Sequence, residues 1–266
     1  MKKILFAAYS LDLGGIETAL VTLINYLAKK QYDITLVLEK KEGIFLDTID
    51  KNIKIIEYSP SYNKNRILAK IKNALNRLKF ILKYKNKFDS AISFATYSLS
   101  SSFIARTSSK NSVLWVHNNY LNFFENDERK YLEFFNNVNA EKFTKIVFVS
   151  EESKKDFENR YKNLKDKLIV CNNLIDYNKI IKKSEEVITD FKKDKNEITF
   201  LNIGRHDEKQ KQLTKLIKSA EVLKKENYKF ILFPKRLSFL DKNCPTCYTG
   251  FVKTPLYFSP IIPSLF

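Results

Sequence analysis

Short, continuous apolar runs recur along the chain at Ile4–Ala8, Ile34–Leu38, Ile53–Ile56, Ala91–Phe94, Val113–Val116, Ile146–Val149, Leu168–Val170, Ile198–Ile203 and Phe230–Phe233. They do not alternate apolar with polar, as expected of strands buried on both faces of a parallel sheet. Helical periodicity fills several of the gaps. Ile16, Ala19, Leu20, Leu23, Ile24 and Leu27 make one stripe, and Leu213, Leu216, Ile217, Ala220 and Leu223 make another. Repeated strand–helix–strand units predict an α/β, doubly wound, Rossmann-like sheet.

The pattern breaks once. Residues 177–197 are polar and charged, and read as a linker between a first domain, 1–176, and the opening strand–helix–strand of a second, 198–233. After Phe233 the alternation is expected to stop. Five of the six prolines and two of the three cysteines lie there, and 234–266 shows neither helical nor strand period. Three elements cannot cover both faces of their own sheet. The expectation is therefore an aberrant tail, from truncation or a frame shift near Phe233.

Composition narrows the class. Of 266 residues, 44% are hydrophobic and 29% charged, which excludes a disordered chain. No apolar run approaches the ~20 residues of a membrane span. The opening MKKILFAAYSLDLGG superficially resembles a signal peptide, but its apolar core ends at Ala8, so a first strand is the better reading. Three cysteines form no disulfide framework, and a cytoplasmic setting is expected. A net charge of +17 favours phosphate-bearing ligands, anionic membranes or nucleic acid, unless it reflects only a lysine-rich source.

The strongest candidate chemistry is FLNIGRHDEKQK, Phe200–Lys211. A strand runs into Gly204, and Arg205 and Lys211 precede an amphipathic helix. Free N–H groups at a helix start, with two cations, would make a diphosphate clamp. Gly14 and Gly15, between the first strand and first helix, either let a phosphate or sugar approach the backbone or simply turn the chain. They are not the GxGxxG fingerprint, which argues against an NAD enzyme. His117 follows the strand Val113–Val116, at the carboxyl end where open α/β sheets place ligands; it either bonds a substrate or caps its own loop. His206 reads as a loop residue. Ser150, with Glu151 and Glu152, reads as a helix N-cap, and Asn172–Asp176 as a turn.

Between Lys64 and Lys87 there is no acidic residue. Ile67, Leu68, Ile71, Ala74, Leu75, Leu78, Ile81 and Leu82 form a helical stripe with lysines and arginines elsewhere. Such a helix either lies on an anionic bilayer or covers the sheet and shows solvent a basic face. No aromatic interleaving of this basic run favours nucleic acid, which is not expected as a partner. Cys244-Pro-Thr-Cys247 lacks the further ligands of a zinc site and the strand–CxxC–helix setting of a redox site.

Together, LGGIETALVTLINYLAKKQYDITLVL, the WVH strand end, IVFVSEESKKDF, VCNNLIDYNKI and FLNIGRHDEKQKQLTKLI resemble glycosyltransferase family 4, the retaining sugar-nucleotide transferases of the GT-B fold. The resemblance covers roughly residues 1–233. It implies two Rossmann-like domains, the first for the acceptor and the second for the nucleotide sugar. It implies that Gly14 and Gly15 approach the donor phosphates, that His117 lies close to the donor sugar, and that Arg205 and Lys211 bind the diphosphate and stabilise it as it leaves. No metal ion or cofactor is implied. The partners would be a nucleotide sugar and a saccharide or lipid-linked acceptor, at the inner face of a membrane if 64–87 binds one. The family's glutamate-rich donor segment has no counterpart after Phe233, so the chain alone is expected to be inactive. The rival reading is a non-catalytic module binding a saccharide, a membrane or a partner chain.

Overall fold

The computed structural model describes residues 1–61, 65–186, 198–204, 208, 212–223, 228–234 and 247–249. Contacts divide the chain into two units, Met1–Ile175 and Asp176–Phe266.

The first unit is a seven-stranded, wholly parallel sheet. Its strands are β1 (Lys3–Ala8), β2 (Asp33–Leu38), β3 (Lys54–Glu57), β4 (Ser90–Ser93), β5 (Ser112–Val116), β6 (Lys145–Phe148) and β7 (Leu168–Val170), in the order β3-β2-β1-β4-β5-β6-β7. The helices are α1 (Gly15–Lys29), α2 (Arg66–Tyr84), α3 (Leu99–Ser108), α4 (Tyr120–Phe123), α5 (Glu128–Asn137) and α6 (Glu151–Arg160). Seven of the nine apolar runs are these strands, each placed within two residues of the expected ends. Two apolar clusters hold the sheet. One gathers Leu20, Ile24, Leu36 and Phe94 beneath α1, and the other gathers Leu114, Phe135, Phe148 and Phe157 beneath α5 and α6. As the sequence suggests, Ser150 caps α6, its Oγ accepting the Ser153 N–H at 3.3 Å, with Glu151 and Glu152 in the first turn.

The strand order reverses at β1. Connections leave β1 towards β2 and β3 on one side and towards β4 to β7 on the other. This opens a crevice at the carboxyl edge between β1 and β4, where α/β sheets bind ligands.

The second unit opens with a helix, α7 (Tyr177–Ser184), whose N-cap Asp176 accepts the Lys179 N–H at 3.1 Å. Part of the expected linker is thus helical; residues 187–197 lie outside the described residues. Strands β8 (Ile198–Gly204), β9 (Tyr228–Pro234) and β10 (Cys247–Thr249), with helix α8 (Leu213–Leu223), build a parallel sheet ordered β10-β9-β8. Here the structure corrects the sequence reading. Cys247–Thr249 lies parallel to Phe230–Leu232, so a third strand follows Phe233 and extends the sheet. Three residues are too few to carry a period, which is why the strand left no trace in the pattern. It also places Cys247 in a strand, while Cys244 lies outside the described residues.

Candidate functional site

The carboxyl edge of the first sheet gathers four connections. After β1, the chain runs Tyr9–Gly14 into α1. Gly14 is the N-cap residue, and its φ of −165° is extended backbone that any residue adopts. Gly15 is the first residue of α1, and a Cβ built on it meets nothing within 4 Å. A Cβ on Gly14 would meet only the flexible carboxylate of Glu17, at 2.0 Å. Neither the turn nor the packing therefore demands glycine at either position. The simple chain-turning role left open by the sequence has no support in this geometry.

The loop after β2 holds the glycine loop in place. Glu39 and Lys40 donate their N–H groups to the carbonyls of Ala8 (3.1 Å) and Tyr9 (2.8 Å), and Leu11 N–H donates to Glu42 at 2.9 Å. Gly43, with a φ of 121°, lies directly on the Leu11–Asp12 backbone. The sequence reading missed it. The signal available was its rarity, since the chain has only five glycines. Also missed was Glu39, a buried carboxylate that accepts the Ser98 hydroxyl. Ser98 in turn caps α3, accepting the Ser101 N–H at 2.9 Å. This pair ties the end of β2 to the loop after β4.

That loop brings Thr96 and Tyr97 to the edge. Tyr9 and Tyr97 face one another with ring centroids 6.3 Å apart, and the Lys40 ammonium lies 5.3 Å over the Tyr9 ring. Burial, with Glu17 and Tyr120 near it, pushes the Tyr97 hydroxyl up to about 12, so it stays protonated.

His117 follows β5. Its ring lies 4.3 Å from Phe94 and stacks parallel to Trp115 at 6.3 Å. Both ring nitrogens are buried, and among the described residues no hydrogen bond of good geometry reaches either, although the Phe94 backbone lies near enough to favour the charged ring slightly. Burial lowers its pKa from 6.5 to about 4, so the ring is neutral at physiological pH. Buried polar atoms are nearly always paired, and an unpaired one at a crevice asks for a ligand group.

This shift predicts a pH dependence. Below pH 6.5 the unfolded chain takes up a proton at this site that the native chain refuses. Native stability should thus fall as pH drops from 6.5 towards 4, by at most about 3 kcal/mol from this group, with no slope above that window. Urea midpoints measured across the window should show the loss in the wild type. His117→Gln should remove this part of it; an unchanged slope would refute the assignment.

Gly14, Gly15 and His117 thus share one sheet edge. Arg205, His206 and Lys211 lie outside the described residues, in sequence between β8, which ends at Gly204, and α8. Of the neighbouring residues, Glu208 Oε2 accepts the Thr214 N–H at 3.1 Å. No group of three His, Cys, Asp or Glu side chains among the described residues could hold a metal ion.

The sequence profile described as Glycosyltransferase Family 4 matches residues 13–179, more than half the chain. The chain belongs to glycosyltransferase family 4. None of the curated proteins compared with it matches. Among solved structures, this family 4 chain is similar to Anabaena HepE in complex with UDP and glucose (16% identity, 88% of this chain and 61% of that one, TM-score 0.58). It is also similar to WaaG, a glycosyltransferase involved in lipopolysaccharide biosynthesis (13%, 87% and 64%, TM-score 0.51). Sucrose-phosphate synthase from Thermosynechococcus elongatus is a third (10%, 88% and 62%, TM-score 0.59). At these identities the likeness establishes the GT-B-like α/β fold. The chain spans less than two thirds of the length of each.

Proposed function

We propose that this family 4 protein transfers a hexose from a nucleotide sugar to a saccharide or lipid-linked acceptor, with retention at the anomeric carbon. The setting is the making of a surface polysaccharide on the cytoplasmic side of a membrane, and no metal ion takes part. Gly14 and Gly15 leave the start of α1 open to the donor phosphates. The free N–H groups there complement an anion. The Glu17 carboxylate beside Gly14 swings aside when the donor enters. Neutral His117 gives a hydrogen bond to the donor sugar, in a setting too dry for water to compete. Arg205 and Lys211 hold the diphosphate and stabilise its charge as it departs. The acceptor enters over Tyr9 and Tyr97, and the basic helix α2 keeps the enzyme at an anionic membrane surface.

The observation that carries this reading is His117, whose two buried ring nitrogens meet no well-formed hydrogen bond among the described residues, at the carboxyl edge of a family 4 sheet. HepE, whose solved form holds UDP and glucose, supplies the first donor to try. Calorimetric titration with UDP-, GDP- and dTDP-hexoses, followed by transfer assays with the donor that binds, tests it. One donor should bind saturably and give a product with the donor's anomeric configuration. Absence of binding across the panel sinks the proposal, and an inverted product sinks the retaining mechanism.

A further inference from the structure

Helix α2 is turned the opposite way from an ordinary core helix. Its inward face is Ala69, Asn73, Asn76, Phe80 and Tyr84, and among its residues only Phe80 is fully buried. Phe80 packs against Tyr58 and Phe103, with ring centroids 5.4 and 6.0 Å away. Asn73 accepts the Ser61 N–H at 2.7 Å and donates to the Ser61 carbonyl at 3.1 Å, while Asn76 donates to Ser59 at 3.4 Å. Two asparagines and one ring thus fasten the helix to α3 and to the segment after β3.

The apolar stripe lies half a turn away. Ile67, Ile71, Leu78 and Leu82 are 70%, 52%, 52% and 77% exposed. At 3.6 residues per turn they share one line down the outer side. Lys72, Lys79 and Lys83 border that line on one flank, and Arg66, Lys70 and Arg77 on the other. An outward aliphatic stripe with cations on both borders is the arrangement of a helix lying in a membrane interface. The aliphatic groups enter the acyl boundary and the long basic side chains reach up to the headgroups. Both borders carry one sign along the whole helix, about 28 Å, so the complementary surface is an extended anionic one.

Resting on the membrane-associated transferase reading above, we infer that α2 lies flat on an anionic bilayer and sets the orientation of the active site. As the crossover between parallel strands β3 and β4, α2 runs back against the strand direction. With its axis in the membrane plane, the strands lie along the membrane. The carboxyl edge, with Gly14 and His117, then opens sideways at headgroup level instead of towards bulk water. That geometry fits an acceptor whose saccharide is attached to a lipid of the same leaflet.

The test uses the full chain and vesicles of phosphatidylcholine alone or of equimolar phosphatidylcholine and phosphatidylglycerol. Sedimentation should show binding to the anionic vesicles about tenfold tighter or more, weakening as salt rises. The double variant Ile71→Asp, Leu78→Asp changes only solvent-facing positions and should lose that binding. Single variants Ile67→Trp and Leu82→Trp report orientation through quenching by brominated lipid. Equal quenching at both ends supports the flat arrangement; quenching at one end alone overturns it. No binding to anionic vesicles, or binding indifferent to the double variant, overturns the inference altogether. So does a wild-type dimer that the double variant dissociates without any vesicle binding, since the stripe would then belong to a second copy. Neither donor nor acceptor is present, so these failures leave the transferase reading standing. Failure of transfer with vesicle binding intact would sink that reading instead.

Discussion

Replacing His117 with alanine is expected to lower sugar transfer about 100- to 1000-fold, the range seen when one preorganised donor to developing charge is removed. The loss should fall on kcat more than on KM, because the hydrogen bond holds the hexose in the reacting orientation while its bond to the departing diphosphate breaks. The imidazole suits this role because it is neutral. With its pKa near 4 it keeps a single N–H at physiological pH. It therefore acts as a directed donor, not as a mobile proton carrier. Its position is fixed by the rings of Phe94 and Trp115. A purely structural histidine would behave differently. It would tolerate His117→Phe, which preserves a ring against Phe94, and lose stability instead of rate. Transfer rates for His117→Ala and His117→Phe, with urea midpoints for both, separate the two roles. Rates within a few-fold of wild type in either variant would remove His117 from the chemistry.

The parallel sheet was legible because its inner strands, β1, β2, β4 and β6, are buried along most of their length, so burial itself wrote the continuous apolar runs. The place of His117 followed from the same logic, since a residue just after a strand of such a sheet sits at its carboxyl edge. What could not be read was anything decided between distant segments. Periodicity gives α2 an apolar stripe but not the direction it faces. The sequence left open whether the stripe packs on the sheet or meets a bilayer; two asparagines bonded to Ser59 and Ser61, with Phe80, turn it outward. The Glu39–Ser98 pair joins residues 59 positions apart. Nothing local marks Glu39 as buried rather than as one more surface carboxylate.

The glycines make the same point and yield the other large prediction. Gly43→Ala is expected to destabilise the fold by about 4 kcal/mol, summing backbone strain at positive φ and overpacking. The new Cβ would stand 2.1 Å from the Leu11 carbonyl carbon, 2.2 Å from its oxygen and 2.4 Å from Asp12 N. These are backbone atoms and cannot step aside as a side chain would. The loop cannot lift away either, because Leu11 N–H is bonded to Glu42 and the Leu11 carbonyl accepts from Phe45 at 3.2 Å. Gly15→Ala should do the reverse. It enters open space at the first turn of α1, where alanine outranks glycine by up to about 1 kcal/mol. Its stability should hold or rise while donor affinity falls about tenfold or more, because the methyl group stands where the phosphates must come close. Urea midpoints and donor titrations of the two variants decide the matter. If Gly15→Ala binds donor as well as wild type, the start of α1 is not the phosphate contact. If Gly43→Ala folds as stably as wild type, the β2 loop yields more easily than its hydrogen bonds imply, and it no longer accounts for the position of the glycine loop.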